Sequence, residues 1–464
     1  MTGGRRFALG VLAVTLAAAG LRAAGLGAWS FAADELGTFH EIDWFFHPPE
    51  PMKSPDEAVP RAIPVAMLAL DAGHRAFGRS EAGCRVVPAV CGVLHVALAA
   101  VGLAAAGLSR AAALAAGVLL AVAGDHLFYS QYHRFYTLAA LAAGAALIAA
   151  GRAVRTGSGG WAAAACALAG VGVLTHTLVG AVFGVIAAGT IAAALAGGRW
   201  RPAGVAVGGA VVAAGVFMFV LWPIVGAKSG LTGFGGLSTR HALLAAAVQA
   251  GWPVCVLAAL GLAVLWHRDR PAAAFWGTAA AGWAGAAAVL PAVLPYHSAY
   301  SFPLALPAFA LAGVAVAEVA GAVRPRGRAA AGLAWVGLMA LTLPTLVSYY
   351  QDGSRPDLRA AAAYLAAWAG PDDLLVSNEP ETIYHYLPAG GPVWLDVRLN
   401  GDLGAAPRDP GRRLWVVCSG GRNGFVPAWR EWVLANGRLH AVIARPRYDY
   451  HEYAVWVFAV PGRP

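Results

Sequence analysis

Charge is scarce in this chain: Asp, Glu, Lys and Arg together make up 12% of its 464 residues, against roughly a quarter in a soluble domain. Cysteine is scarcer still. Cys84, Cys91, Cys166, Cys255 and Cys418 show no CxxC or other ligand spacing, so neither a disulfide framework nor a zinc site follows from the sequence. No internal repeat is strong enough to use, and there is no low-complexity tail. The formal net charge of +9 would suggest nucleic acid or an anionic surface in a soluble protein. Here it follows from membrane orientation instead, and no nucleic-acid partner is expected.

What the chain has in abundance is apolar sequence. It is 59% hydrophobic, with a mean hydropathy of +0.61. A bilayer-crossing helix needs about 20 apolar residues. About eleven such runs are present, near 7–29, 84–107, 111–128, 135–151, 161–176, 178–196, 202–222, 244–266, 271–290, 299–321 and 329–348. The pair around His176 is the tightest, with two spans and a turn in little sequence. Alanine and glycine dominate the runs, which suits close helix packing in lipid. The first run is expected to stay as a span, because no clean small-residue cleavage site precedes the acidic pair that follows it.

Arginines cluster between these runs: Arg5 with Arg6, Arg110, Arg152 with Arg155, Arg199 with Arg201, Arg268 with Arg270, and Arg324 with Arg326 and Arg328. Basic residues near span ends stay cytoplasmic, and each cluster is separated from the next by room for two spans. Every second loop is therefore expected inside. The N-terminus is then cytoplasmic, and everything after an eleventh span is extracytoplasmic. The outward loops hold most of the chemically interesting residues: Asp34-Glu35, Tyr129 to Tyr136, His176, Lys228 to His241, and Tyr296-His297.

After Tyr350 charged residues become frequent and apolar runs shorten to strand length. Residues 356–369 read as a helix closed by Gly370-Pro371, followed by strands at Leu374–Val376, Val393–Leu395, Leu414–Val417, Ala441–Ile443 and Ala454–Val460. This predicts an α-helical polytopic membrane domain over 1–350, with a long first outer loop at 31–83, and a small extracytoplasmic α/β domain over 351–464.

Two motifs stand out. Asp34-Glu35 follows Trp29-Ser30-Phe31 at the end of the first run, and adjacent carboxylates at a membrane surface are costly unless water, a cation or a basic group meets them. The pair could instead be ordinary loop charge, as Asp56-Glu57 beside Ser54-Pro55 reads. Pro60 to Phe77 has helical spacing at Ile63, Met67 and Leu70 broken by Asp71, His74 and Arg75, which predicts an interfacial helix with a wetted charged face. The second motif is Phe128 to Tyr136, in the outward turn between the third and fourth runs. Its Arg134 breaks the inside bias, and a guanidinium there binds phosphate through paired hydrogen bonds. Against that stands a snorkelling arginine flanked by interfacial tyrosines.

In these motifs the sequence resembles the polyprenyl-phosphate-dependent glycosyltransferases of the GT-C superfamily, in the branch of protein mannosyltransferases and aminoarabinose transferases. Asp34-Glu35 resembles the acidic motif of that family's first outer loop. Ser130-Gln131-Tyr132-His133-Arg134-Phe135-Tyr136 resembles its serine–arginine–tyrosine signature, with Tyr132-His133 in place of an acidic–alanine pair. Phe77-Gly78-Arg79-Ser80-Glu81, Leu174-Thr175-His176, Tyr300 to Leu311 and Asp357 to Leu365 resemble further stretches.

The resemblance implies a membrane glycosyltransferase with a GT-C-like fold, in a bacterial inner or cell membrane. It would move a sugar from a polyprenyl-phosphate-linked donor to a lipid, glycan or protein acceptor, with inversion. Asp34 would be the base, and Glu35 would orient the acceptor or, as the alternative, share a divalent metal with Asp34; no cofactor is fixed by the resemblance. Arg134, with Tyr136, His133 and Lys228, would meet the donor phosphate. Ser130, Gln131, His176, Arg240, His241, Tyr296 and His297 are substrate-binding candidates. For His176 a satisfied intramembrane histidine is an equal reading. The alternatives are an envelope polysaccharide polymerase or ligase, which differs in acceptor, and a multi-span transporter, which should show repeated halves.

Overall fold

The computed structural model describes residues 3–49, 55–216, 239–293, 300–323, 327–341, 343–352, 355–394, 403, 411–419, 427–443 and 454–461. The chain divides into two compact units, one of Met1–Leu26 with His40–Leu346 and the other of Gly27–Phe39 with Val347–Pro464.

The first unit is helical. It contains α1 (Gly3–Ala23), the second part of α2 (Ala33–Phe46), α3 (Val59–Ala62), α4 (Pro64–Phe77), α5 (Glu81–Ala105), α6 (Arg110–Val122), α7 (Gly124–Ser130), α8 (Tyr136–Thr156), α9 (Gly159–Val173), α10 (Ala181–Gly197) and α11 (Trp200–Val216). It continues with α12 (Thr239–Ala250), α13 (Trp252–Arg268), α14 (Arg270–Val293), α15 (Leu306–Val323), α16 (Arg328–Ala340) and the start of α17 (Leu343–Asp352). Among the described residues, five helical stretches are each long and apolar enough to cross a bilayer: α1, α5, α8, Thr177–Gly197 and Phe302–Val323. The bent pair α6 and α7 makes a sixth if read as one span, while α9, α11 and α13 are apolar but shorter.

All of the apolar runs contain helix, yet some are divided. The run 244–266 breaks between α12 and α13 at Gly251, whose φ of 86° is left-handed and which precedes a proline in the first turn of α13. The third run bends by 64° between α6 and α7, at Ala123, whose extended backbone ends the helix. Both breaks are local backbone features that hydropathy does not report.

Leu9, Leu12 and Leu16 on α1, and Val90, Leu94 and Val101 on α5, are exposed. They recur at three to seven residues and so line one face of each helix, the outcome expected of surfaces solvated by lipid. The interior is built from small residues. A Cβ on Gly261 of α13 would collide with the Leu311 carbonyl of α15, and one on Gly313 of α15 would collide with the Ala112 carbonyl of α6. Backbones therefore meet at van der Waals distance, the packing that association in lipid depends on.

Among the described residues, the second unit contains a five-stranded sheet of order β2-β1-β3-β5-β4, from β1 (Leu374–Ser377), β2 (Val393–Trp394), β3 (Leu414–Ser419), β4 (Arg438–Ile443) and β5 (Val455–Val460). β1 runs parallel to β2 and β3, and β5 runs antiparallel to β3 and β4. β1 and β3 are buried throughout, as central strands covered on both faces are. Period-two alternation sorts Leu374, Val376, Leu414 and Val416 into one core and Leu375, Trp415 and Val417 into the other. The second of these cores is closed by Leu358, Ala361 and Leu365 of α18 (Leu358–Trp368).

Asp373 ties the start of β1 to β3. Burial alone would raise its carboxyl pKa, but hydrogen bonds from the Trp415 indole, from the backbone N–H groups of Gly370 and Arg413, and from the Arg413 side chain hold it below the usual carboxylate range. Burial pushes the Cys418 thiol up to about 12, so that cysteine is an inert core residue.

Candidate active site

The acidic pair belongs to the second unit. α2 opens with Asp34 and Glu35 in its first turn, where carboxylates complement the exposed N–H groups and the helix dipole. Glu35 closes a capping interaction: Ala32 N–H donates to its Oε2 at 3.0 Å, the reciprocal bond that a Glu three residues past the cap supplies. The same oxygen accepts from Nη1 of Arg355 at 3.0 Å, and both side chains are shut off from solvent, at 4% and 0% exposure for Arg355 and Glu35.

The segment before the pair is stitched to the start of the C-terminal region. Ser30 Oγ donates to the Pro356 carbonyl at 3.0 Å and accepts from Leu358 N–H at 3.3 Å. Arg359 donates to the Ala28 carbonyl at 2.9 Å. Phe31 N–H donates to the Tyr386 hydroxyl at 2.7 Å, on α19 (Pro380–Tyr386). Asp34 is exposed, and its carbonyl accepts from Thr38 Oγ1 at 3.2 Å.

Glu35 Oε2 thus has a guanidinium at 3.0 Å and the Ala32 N–H at 3.0 Å, two contacts that hold it against the first turn of α2.

Arg134 and its neighbours belong to the first unit. The turn after α7 carries them, and α8 begins at Tyr136. Arg134 Nη1 donates to Glu41 Oε2 at 2.7 Å, the two side chains being 14% and 20% exposed. Its guanidinium lies 4.8 Å from the Phe135 ring centroid, which fixes its plane. Tyr136 is buried and packs edge-on against Tyr129 at 5.1 Å. His176 lies among Phe135, Tyr136 and Tyr300, at centroid distances of 5.3, 5.9 and 5.7 Å. Its Nδ1 accepts from Leu178 N–H at 3.2 Å, so the histidine caps the short 3-10 turn Thr177–Gly180 that leads into α10.

Ser130 and Gln131, expected as substrate contacts, are fully buried and bound to α1 and α7. Gln131 Nε2 donates to the carbonyls of Arg22 and Ala24, both at 2.7 Å, satisfying backbone acceptors that the end of α1 leaves open. Ser130 Oγ donates to the His126 carbonyl at 2.6 Å and accepts from Arg22 Nε at 3.1 Å. Arg22 is fully buried. Its Nη2 meets His126 Nδ1 at 2.6 Å, and His126 Nε2 meets His95 Nδ1 at 3.1 Å. Sequence reasoning gave no individual role to Arg22, His95, His126, Arg355 or Glu41. Arg22 had a signal, since it breaks the inside bias at the far end of the first run just as Arg134 does. Arg355 had none, because only the fold brings it 320 positions back to Glu35.

His74 also departs from expectation. It is 6% exposed, so the charged face of α4 is not wetted there, although Asp71 and Arg75 do form a one-turn ion pair at 2.7 Å. Arg240 is exposed at the start of α12, and His241 follows it in that helix. Lys228, Tyr296 and His297 lie outside the described residues.

No family model and no curated protein matches the sequence. The fold does match known structures. The chain is similar to ArnT from Cupriavidus metallidurans bound to undecaprenyl phosphate, with a TM-score of 0.56 and 15% identity over 100% of both chains. The apo state of the same protein gives 0.56 and 16%, again over both whole chains. The apo oligosaccharyltransferase of Archaeoglobus fulgidus gives a TM-score of 0.53 and 12% identity, over 88% of this chain and 69% of the other. The chain is an α-helical polytopic membrane protein with the GT-C fold, as its motifs implied.

Proposed function

We propose that this chain is a membrane glycosyltransferase that moves a sugar from a polyprenyl-phosphate-linked donor to an acceptor hydroxyl at the extracytoplasmic face. The observation that carries the reading is the differing treatment of the two carboxylates. Glu35 is neutralised and locked by Arg355 and the Ala32 N–H, an investment that orders the turn presenting Asp34. The fold likeness supports the donor class, since one of the neighbours was solved bound to undecaprenyl phosphate.

Asp34 accepts the proton of the acceptor hydroxyl as its oxygen attacks the anomeric carbon. The bond from that carbon to the phosphate oxygen breaks in the same step, polyprenyl phosphate departs with the electron pair, and the anomeric centre inverts. General-base assistance of this kind contributes about 10²–10⁴-fold. Arg134 exchanges its Glu41 partner for the donor phosphate and stabilises the charge that develops on it, as preorganised donors do for a departing anion. The Phe135 ring holds the guanidinium plane for a two-point contact. Lipid, glycan and protein all remain acceptor classes for this site.

The test is turnover of a polyprenyl-phosphate sugar by the purified full chain and by Asp34→Asn, with donor binding measured alongside. Asparagine keeps the shape and loses the proton acceptor. A fall of about 10²–10⁴-fold in turnover with donor affinity kept is the expected result. Unchanged turnover in Asp34→Asn would remove the acidic pair from the chemistry.

A further inference from the structure

Three side chains with no recognisable ligand spacing in the sequence converge at one buried point of the first unit: one ligand atom each of His74, Cys84 and His133 lies within 4.8 Å of the other two. They come from α4, from the first turn of α5, and from the turn after α7. Their exposures are 6%, 2% and 0%. His74 Nε2 and His133 Nε2 are 2.8 Å apart, and Cys84 Sγ is 4.0 Å from the Gly78 carbonyl.

The backbone between α4 and α5 is shaped to bring Cys84 back beside His74. Gly78 ends α4 at a φ of 81°, which only glycine adopts without strain. Gly83 then packs so closely on the Phe77 and Gly78 carbonyls that any Cβ would collide. Ser80 caps α5 by accepting from Gly83 N–H at 3.2 Å, which orders the turn holding Cys84.

We propose that His74, Cys84 and His133 bind a zinc-type transition metal ion through the two Nε2 atoms and the thiolate, leaving a fourth position for solvent. Zinc–nitrogen bonds of about 2.0–2.1 Å and zinc–sulfur bonds of about 2.3 Å in a tetrahedron put ligand atoms roughly 3.3–3.6 Å from one another. The observed spacings bracket that range. The imidazole pair opens by about half an ångström, and the thiol closes by side-chain rotation. One soft sulfur and two nitrogens select zinc over magnesium or calcium, which require oxygen ligands.

On binding, the thiol releases its proton to solvent. The proton shared between the two Nε2 atoms leaves that hydrogen bond, so that each imidazole carries hydrogen on Nδ1 only. Because His133 adjoins Arg134, the ion would tie the turn bearing that arginine to α4 and α5. That catalytic consequence rests on the glycosyl-transfer reading, whereas the metal site does not.

The experiment uses tag-free full-length protein in detergent, grown with zinc and assayed for metal by mass spectrometry, then loaded with cobalt(II) for optical spectroscopy. One zinc per chain and a near-ultraviolet thiolate-to-cobalt band are expected. Cys84→Ser should lose the band, while Cys91→Ser on the same helix keeps it. Asp34→Asn should keep the metal, which separates failure of the site from failure of the transfer reading. A purified unmodified chain that holds no zinc and gives no cobalt band would overturn the proposal, as would a band that survives Cys84→Ser.

Discussion

Replacing Arg355 with alanine should loosen the start of α2 by an amount the structure allows to be worked out. Glu35 is fully buried and its Oε2 has the Arg355 guanidinium at 3.0 Å. Removing one member of such a pair leaves an uncompensated buried charge, which costs about 3–5 kcal/mol. The Ala32 N–H bond at 3.0 Å remains, so the lower part of that range is expected. Since 1.4 kcal/mol is a factor of ten, local opening of residues 27–39 should become about a hundred- to a thousand-fold more frequent.

Hydrogen–deuterium exchange on peptides covering 27–46 and 355–365 measures this directly in the intact protein. The double variant Glu35→Gln with Arg355→Met removes both charges, and it should recover most of the protection, because a neutral pair of similar volume bears no buried charge. Turnover should follow protection if Glu35 is a support. Unchanged exchange in Arg355→Ala would refute the buried-pair reasoning. Full protection without turnover in the double variant would make Glu35 a chemical participant.

Arg134→Lys should lose nearly as much turnover as Arg134→Ala, because lysine keeps the charge but not the planar fork; normal turnover in the lysine variant would reduce the role to simple attraction. Glu41→Gln should tighten donor binding several-fold, since the carboxylate that competes with phosphate at 2.7 Å from Arg134 is gone; weaker binding, measured by titration with a polyprenyl-phosphate sugar, would show that Glu41 positions Arg134 instead. A reporter fused after Arg328 should be cytoplasmic and one fused after Tyr350 extracytoplasmic. A cytoplasmic reporter at Tyr350 would overturn the orientation read from the arginine clusters.

The sequence by itself determined the class. Low charge, long apolar runs and arginines at alternate gaps leave a polytopic helical membrane protein as the reading, because backbone polar groups in lipid must be bonded internally. The strand-length runs after Tyr350 coincide with the five strands of the described residues, since short apolar runs bounded by turn residues are a local signal that survives folding. Asp34, Glu35 and Arg134 stand out in the sequence as candidates because a charge at a membrane surface contrasts with its surroundings.

Their partners were not legible. Arg355 reaches Glu35 across 320 positions and Glu41 reaches Arg134 across 93, and pairing of that range is set by tertiary topology with no local signature. The same cause separates the two carboxylates into a candidate base and a buried support. It places Ser130 and Gln131 in bonds that hold α1 and α7, and it gathers His74, Cys84 and His133 from three segments. Sequence spacing reports what one turn of helix or strand can bring together; which distant side chains share a buried point is decided only when the helices pack.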